Sequence, residues 1–499
     1  MKFHLFRAGW LAVVLGAGLA ITLPAQQSLR PDRSAVFVTA VPQVNRVQNP
    51  GTAAPTQSAS TGLSATFSGS PYTLGPVVSA TTTSPEAEEH IAVDPNVSAN
   101  LVAAISDFSM PVAGVSGVNT TKFASSIDNG STWIEGFVAL SPDGHKITSD
   151  GLSWDANSDP VVARDRLGNV FAADLYIDFI SAFFDGLYVN VGTQSASGLT
   201  ISSTNPVAVD TASGPFFEDK PWIAADDSGT TDNVYVCWTR FSTTSTADFI
   251  AFSRSTDHGS TWSALTKIST NTQDGAVQGC QVAVGPSGEV YVAYEVSFVD
   301  RFRQHFVAKS TDGGLSFSTS KAITPVFRDV TFASFFRKNS FPALAVNPVN
   351  GNVVDVYAGN DLVGHANIHF IQSTDGGTTF GAPLVINDVL HGEQFMPGLA
   401  IDASGVIHAS WFDTRNAEGS AAFKYDIFAT FSKDNGATFA PNARVTPAPI
   451  VLGHFPTFIG DYSGNAAAGG FAHPVWNNGG FSTRSHLQTA TLTLPQRGS

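Results

Sequence analysis

The 499-residue chain reads as an all-β protein, a β-propeller of four-stranded antiparallel blades. Three observations predict it. An eight-residue motif, Ser-x-Asp-x-Gly-x-Thr/Ser-Trp/Phe, recurs at residues 126–133, 255–262, 310–317, 373–380 and 432–439. A second signature, an apolar strand ending near Asp, Asn or Gly and followed by another strand, recurs at 90–94, 160–165, 221–226, 281–285, 342–347, 397–402 and 456–461. The composition, with 45 Gly, 27 Pro and only 13% charged residues, suits many short strands joined by tight turns. Repetition of this kind points to a ring or array of one supersecondary unit.

Each octapeptide follows a short apolar stretch, such as residues 249–252, 368–371 and 427–431, and so reads as a hairpin turn. The chemistry of a turn explains its residues. Asp128, Asp257, Asp312, Asp375 and Asp434 can accept backbone N–H bonds, the Gly two positions on can take positive φ, and the closing Trp or Phe can pack between sheets. A structural role accounts for all five without catalysis.

The seven copies of the second signature are the inner strand pairs of blades. Second strands follow at 234–238, 290–294, 406–411 and 471–476. The octapeptides alone give five or six blades, with a decayed copy near 194–198 and none in the last unit. Strand pairs give seven, and they are the better count, because a turn is replaceable while a missing inner strand opens a gap. Seven units of about 59 residues fill the chain beyond residue 85.

The octapeptides resemble the Asp boxes, or bacterial neuraminidase repeats, of the sialidase-like β-propellers, over roughly residues 85–495. In that family the box joins the third and fourth strands of a blade on the face opposite the active site. The family has six blades, so seven is a departure. Its sialidases bind the substrate carboxylate with three arginines, use a Tyr assisted by Glu as nucleophile, and use an Asp as acid/base. The resemblance implies Arg240, Arg337 and Arg415 as the arginines here, Tyr294 with Glu295 as the nucleophile pair, and Asp413 as the acid/base. The Arg-Ile-Pro motif that supplies the family's first arginine is absent.

Polar residues crowd the strand ends expected opposite the boxes. Starts of first strands carry Glu88, Glu89, His90, Asp159, Glu218, Asp219, Lys220, Gln278, Arg337, Glu393, Gln394 and His454; ends of second strands carry Asp107, Asp174, Arg240, Glu295, Asp361, Asp413 and Arg415. Glu393 and Trp411 are further candidates for substrate contact, although Trp238, Trp411 and Trp476 equally suit packing between blades. A carboxylate-pair glycosidase would use Glu295 with Glu393, or Asp361 with Asp413, at about 5 to 9.5 Å. Asp461-Tyr462 follows a first-strand signature, which places it in a turn on the box side.

Residues 1–25 carry Lys2, Arg7, an apolar run from 8 to 23 and Ala25, the pattern of a cleaved secretory signal; an uncleaved anchor is the competing reading. The chain is therefore expected outside the cytoplasm, secreted or periplasmic, with no membrane span after cleavage. Residues 26–84 read as a low-complexity linker, of which 65–78 can supply a ring-closing strand, and 85–499 as the propeller. Cys237 and Cys280 fall on strands expected to be neighbours, so a disulfide is favoured in an exported chain, with buried thiols as the other reading.

A net charge of −15 argues against nucleic acid and anionic lipid as partners. No cofactor is expected; Ca²⁺ among the clustered carboxylates is the one alternative, and no EF-hand loop is present to hold it. Two functions from different classes remain: an exported monomeric propeller that binds extracellular glycan or another polymer at a polar mouth, with sialidase-like hydrolysis within reach, and a non-catalytic binding or scaffold ring.

Overall fold

The computed structural model describes residues 63–496, apart from 83–84, 110–119, 139–144, 179–183, 211–213, 246, 331, 333–335, 361–363, 418–419, 421, 453–457 and 480–484. The expected signal peptide, 1–25, lies outside the described residues. The fold is all-β; among the described residues there is no α-helix, and so none long and apolar enough to cross a membrane.

Strands follow one another as antiparallel hairpins in successive sheets. The first holds Glu86–Val93, Leu101–Asp107, Thr120–Ser126 and Ile134–Phe137; the second Ala156–Arg164, Asn169–Asp178, Phe184–Ser195 and Gly198–Asp210; the third Phe216–Ala225, Val234–Ser242, Phe249–Ser255 and Thr266–Lys267. The fourth unit (Val277–Val284, Val290–Ser297, Phe302–Ser310, Lys321–Ala322) and the fifth (Ala343–Val346, Val353–Asn360, Ala366–Ser373, Leu384–Val385) merge into one ten-stranded sheet, because the short strand Phe327–Arg328 pairs with both. The sixth is Gln394–Ile401, Ile407–Asp413, Lys424–Ser432 and Ala443–Arg444, with Ile450–Val451 added. The last is Asn465–Ala468, Phe471–Asn477 and Leu487–Thr493.

The first strands touch in series from Glu86–Val93 through to Asn465–Ala468, and the last touches the first. Second strands such as Leu101–Asp107, Val290–Ser297 and Ile407–Asp413 are buried along their whole length, since neighbouring sheets cover both faces. That is why they are written as near-continuous apolar runs. Trp154, Trp238, Trp411 and Trp476 are fully buried between the sheets.

The octapeptide turns share one geometry. In the sixth unit Ser432 Oγ donates to Asp434 Oδ1 (2.8 Å) and accepts from Gly436 N (2.9 Å), while Asp434 accepts from Thr438 N (2.8 Å) and Thr438 Oγ1 (2.5 Å). Asn435 and Gly436 both have positive φ, 61° and 81°, which explains Asn or Gly followed by Gly. In Asp312 and Asp375 the hydroxyls of Ser316 and Thr379, with backbone N–H groups, hold the carboxyl well below its ordinary value. The turns also join neighbours: Phe317 packs edge-on against Phe252 of the unit before it, and Phe439 against Phe370.

The strand expected within 65–78 as the alternative to linker is present over Thr73–Ser79, and one other expectation needs correction. From residue 63 the chain is built into the fold. Leu63–Ser64 runs parallel to Leu384–Val385, Phe67 bridges to Phe439, the buried Tyr72 hydroxyl lies 2.7 Å from His408 Nδ1, and Thr73–Ser79 pairs with Leu487–Thr493 as the fourth strand of the last sheet. The last unit's first strand is Asn465–Ala468, not 456–461. Its Ala-rich sequence carries little strand signal, whereas the Gly460-Asp461 ending imitated the repeated one.

Ser432→Ala removes two hydrogen bonds made by a buried hydroxyl in the turn and should cost about 1–2 kcal/mol in urea unfolding. Gly436→Ala should cost more, because its Cβ would lie 2.6 Å from the Phe370 ring at a φ of 81°.

Candidate functional site

The turns occupy the end of each sheet where the first strand finishes, so starts of first strands and ends of second strands share the opposite end. There, five first strands carry the same irregularity. Register slips between Ala87 and His90, Ser158 and Val161, Asp219 and Trp222, Gln278 and Gln281, and Phe395 and Gly398. Each slip is a β-bulge whose first residue sits at positive φ: Glu88 at 64°, Asp159 at 57°, Lys220 at 52°, Gly279 at 66° and Met396 at 50°. The left-handed region is costly for four of these five residues. At Gly279 a side chain is also excluded by space, since a Cβ would lie 2.3 Å from the Phe341 ring.

The bulges turn charged side chains toward one another from different units. Lys220 Nζ contacts Asp461 of the last unit and lies 3.9 Å from Asp159 of the second. Arg337, ahead of the fifth unit, bonds the same Asp461 oxygen, and Asn339 Nδ2 donates to Asp461 O (2.8 Å). Glu88, Asp159, Asp219, Lys220 and Asp461 are all buried. Burial, then the Asp159 carboxylate, pushes the Glu88 carboxyl well above its ordinary value, and burial does the same to Asp219. Burial opposes ionisation of Asp159 too, but the Lys220 ammonium and the hydrogen bond from Glu88 outweigh it and hold that carboxyl low. Carboxyl groups in direct contact leave no room for the water or sugar that a glycosidase pair flanks.

Asp461 therefore belongs to this central cluster and not to a box-side turn. Tyr462 beside it is structural as expected, donating to Pro160 O (3.0 Å) and packing edge-on against Trp222.

The arginines named from the sequence do not converge. Arg240 reaches Glu218 (3.3 Å) and Asp210 (3.5 Å) over the Phe216 ring. Arg415 binds Asp388 (2.6 Å) and Asp413 (2.8 Å) over the Phe428 ring, and Arg337 is held by Asp461 over Phe458. Each is neutralised by different carboxylates.

Tyr294 and Glu295 are not a catalytic pair in this arrangement. Successive strand residues face opposite sides. The Tyr294 hydroxyl is buried within hydrogen-bond distance of Gln273 Oε1 (2.8 Å) and Ser320 Oγ (2.6 Å), and burial pushes its pKa up, away from nucleophilic ionisation. Glu295 faces Arg303 Nε (3.0 Å) instead, with its pKa pushed up to about 7 by burial. Asp413 is fully buried among Arg415, Trp411 Nε1 (2.9 Å) and Gln394, which closes it to an acid/base role. Trp411, buried beside it, has no face free to stack on a sugar. Glu393 keeps an open side, bonding His365 Nδ1 (3.1 Å) and Ala366 N (2.8 Å). Asp361 and His454 lie outside the described residues.

Beside Glu393 the structure shows an aromatic group that the sequence reading passed over. Phe332 and Phe423, both partly exposed, stack at 5.9 Å and 13° on the buried Phe336 and Phe395. Lys338 Nζ sits 4.6 Å over the Phe332 ring. The clue was the density of phenylalanine, 37 in the chain, around positions 327–341. Cys237 and Cys280 are joined as a disulfide across the third and fourth units. Among the described residues no group of three or more His, Cys, Asp or Glu is arranged to hold a metal ion.

No family model matches the chain, and no curated protein does. Among solved structures it is similar to a Dyadobacter fermentans protein of unknown function (13% identity, 87% of this chain and 99% of that one, TM-score 0.43). It is also similar to a Penicillium chrysogenum α-L-arabinanase complexed with arabinobiose (12% identity, 84% and 98%, TM-score 0.46). A third is the Trypanosoma rangeli sialidase in complex with sialic acid (14% identity, 77% and 59%, TM-score 0.42).

Removing Lys220 leaves buried carboxylates unpaired, so Lys220→Met should destabilise by about 3–5 kcal/mol in urea unfolding, with Lys220→Met/Asp461→Leu recovering much of the loss. Because Glu88 has a raised pKa in the folded state, its contribution is fully present below the unfolded carboxyl pKa and is lost as pH rises toward the folded value. The fall in stability as pH rises above the unfolded carboxyl pKa, about 4.3, should therefore be shallower in Glu88→Gln than in the parent.

Proposed function

We propose that the chain is a seven-bladed propeller with Asp-box turns that binds a neutral extracellular glycan or similar polymer at the end opposite those turns, without sialidase chemistry. The observation that carries this reading is the stacked, partly exposed Phe332–Phe423 pair flanked by Lys338, Glu393 and His365. Aromatic faces take the apolar face of a sugar ring, and charged planar groups beside them take its hydroxyls. The blade count is supported by the series of first-strand contacts and by Thr73–Ser79 completing the last sheet.

An anionic sugar fits poorly. The chain carries a formal charge of −15, and Arg240, Arg337 and Arg415 are each engaged by carboxylates. A free carboxylate would have to displace one of them.

The test is binding to an array of neutral and sialylated glycans beside hydrolysis of fluorogenic glycosides. Binding to a neutral glycan, weakened about tenfold or more in Phe423→Ala and without turnover, is the expected result. Sialoside cleavage lost in Arg415→Ala would overturn it. Cleavage of a neutral glycoside would overturn the non-catalytic part of the proposal.

A further inference from the structure

On the side of the octapeptide turns, away from the Phe332–Phe423 pair, a cleft of about 350 Å³ opens between the fourth and fifth units. Its fourth-unit wall carries Lys309, Ser318, Lys321 and the half-buried Phe317, and its fifth-unit wall is the turn at 376–378. Register sets the two lysines side by side. Lys321 pairs with Val307, and Lys309 stands two residues beyond Val307 on the same face. Lys309 Nζ donates to Gly376 O (3.0 Å) and Lys321 Nζ to Thr378 O (2.7 Å), so both ammoniums are drawn to one turn. Their approach needs glycine there, since a Cβ at 376 would lie 3.2 Å from Lys309 Nζ.

Backbone carbonyls do not neutralise the two charges. An ammonium has three N–H donors, and one is spent on a carbonyl in each. Among the described residues neither lysine has a carboxylate partner, although the chain as a whole carries −15. The acids of the flanking turns are spent on those turns. Asp312 accepts from Ser316 N (2.9 Å) and Oγ (2.5 Å), and Asp375 from Thr379 N (2.8 Å) and Oγ1 (2.7 Å). Ser318 Oγ accepts from Lys309 N (3.1 Å), which leaves its proton to donate.

Comparison with the other units separates this pair from the repeat. The positions of Lys309 and Lys321 are held by Ser125 and Gly136 in the first unit, Arg254 and Thr266 in the third, Gln372 and Leu384 in the fifth, and Phe431 and Ala443 in the sixth. Arg254 makes the same bond to the next unit, reaching Gly313 O (2.8 Å), with Thr266 where the fourth unit has Lys321. Joining two units therefore needs one donor at most, and the second lysine is left without a structural reason.

We propose that the cleft binds a phosphate or sulfate ester of a small sugar, with the ester oxygens on Lys309, Lys321 and the Ser318 hydroxyl and the ring against Phe317. Two separate ammoniums and a hydroxyl suit a tetrahedral oxyanion, whereas a planar carboxylate is matched by the fork of one arginine. Phe317 offers an apolar face, and the volume suits one ring and not a polymer. The site is independent of what binds at the opposite end.

Calorimetric titration of the full chain at low salt with glucose 6-phosphate, glucose 6-sulfate and glucose tests this. One or both esters should bind and glucose should not, the tighter ester naming the group. Lys321→Gln changes an exposed residue, and Gly376→Asn installs what the first and sixth turns carry at that position, Asn129 and Asn435. Each should weaken ester binding about tenfold or more. Arg254→Gln removes only an inter-unit bond and should leave ester affinity unchanged. Failure of both esters to bind, glucose binding as tightly as they do, or full affinity in Lys321→Gln would overturn the proposal.

Discussion

A residue held at positive φ near the start of an inner strand decides what the far end of this molecule presents. A regular strand would send alternate side chains to alternate faces, each against a neighbouring sheet. One inserted residue breaks that alternation and turns Glu88, Asp159 and Lys220 out of the sheets and toward one another. The strain of four non-glycine residues in the left-handed region is held in place by the sheets on both sides. What they assemble is not an open pocket but a neutralised cluster, in which two cations meet four carboxyls and two of those carboxyls stay protonated.

A second enclosed ammonium, Lys122 of the first sheet, lies against the fully buried carboxyls of Glu86 and Asp107, with Glu135 3.4 Å away. Around Lys220 a guanidinium, Arg337, shares the Asp461 carboxylate with the ammonium, so that cluster is held electrostatically across units.

The turns and strand pairs were legible because their chemistry is local. Asp, Gly and an aromatic at fixed offsets state a hairpin on their own, and apolar runs between them state strands covered on both faces. The site was not legible, because which side a polar residue faces depends on counting from a strand start, and one bulge inverts the count. Tyr294 and Glu295 were grouped because they are neighbours in sequence, which in a strand sends them apart. Asp461 was misplaced for the opposite reason, since an Ala-rich strand after it was too weak a signal to set against the repeated ending before it.

The segment from residue 63 to 79 joins the start of the chain to sheets formed at its end. Thr73 pairs with Thr493, so the chain before the one and the chain after the other leave the sheet at the same end. Tension applied between the two termini would then reach the hydrogen bonds one pair after another, as in a zipper, and a zipper yields at low force. The bridges of Leu63–Ser64 and Phe67 to the fifth and sixth units lie upstream of that pair and take the load first. Leu63 and Ser64 run parallel to an outer strand and would have to slide along it, so the mechanical strength of the closure rests on a few residues of the strap and not on its longest strand.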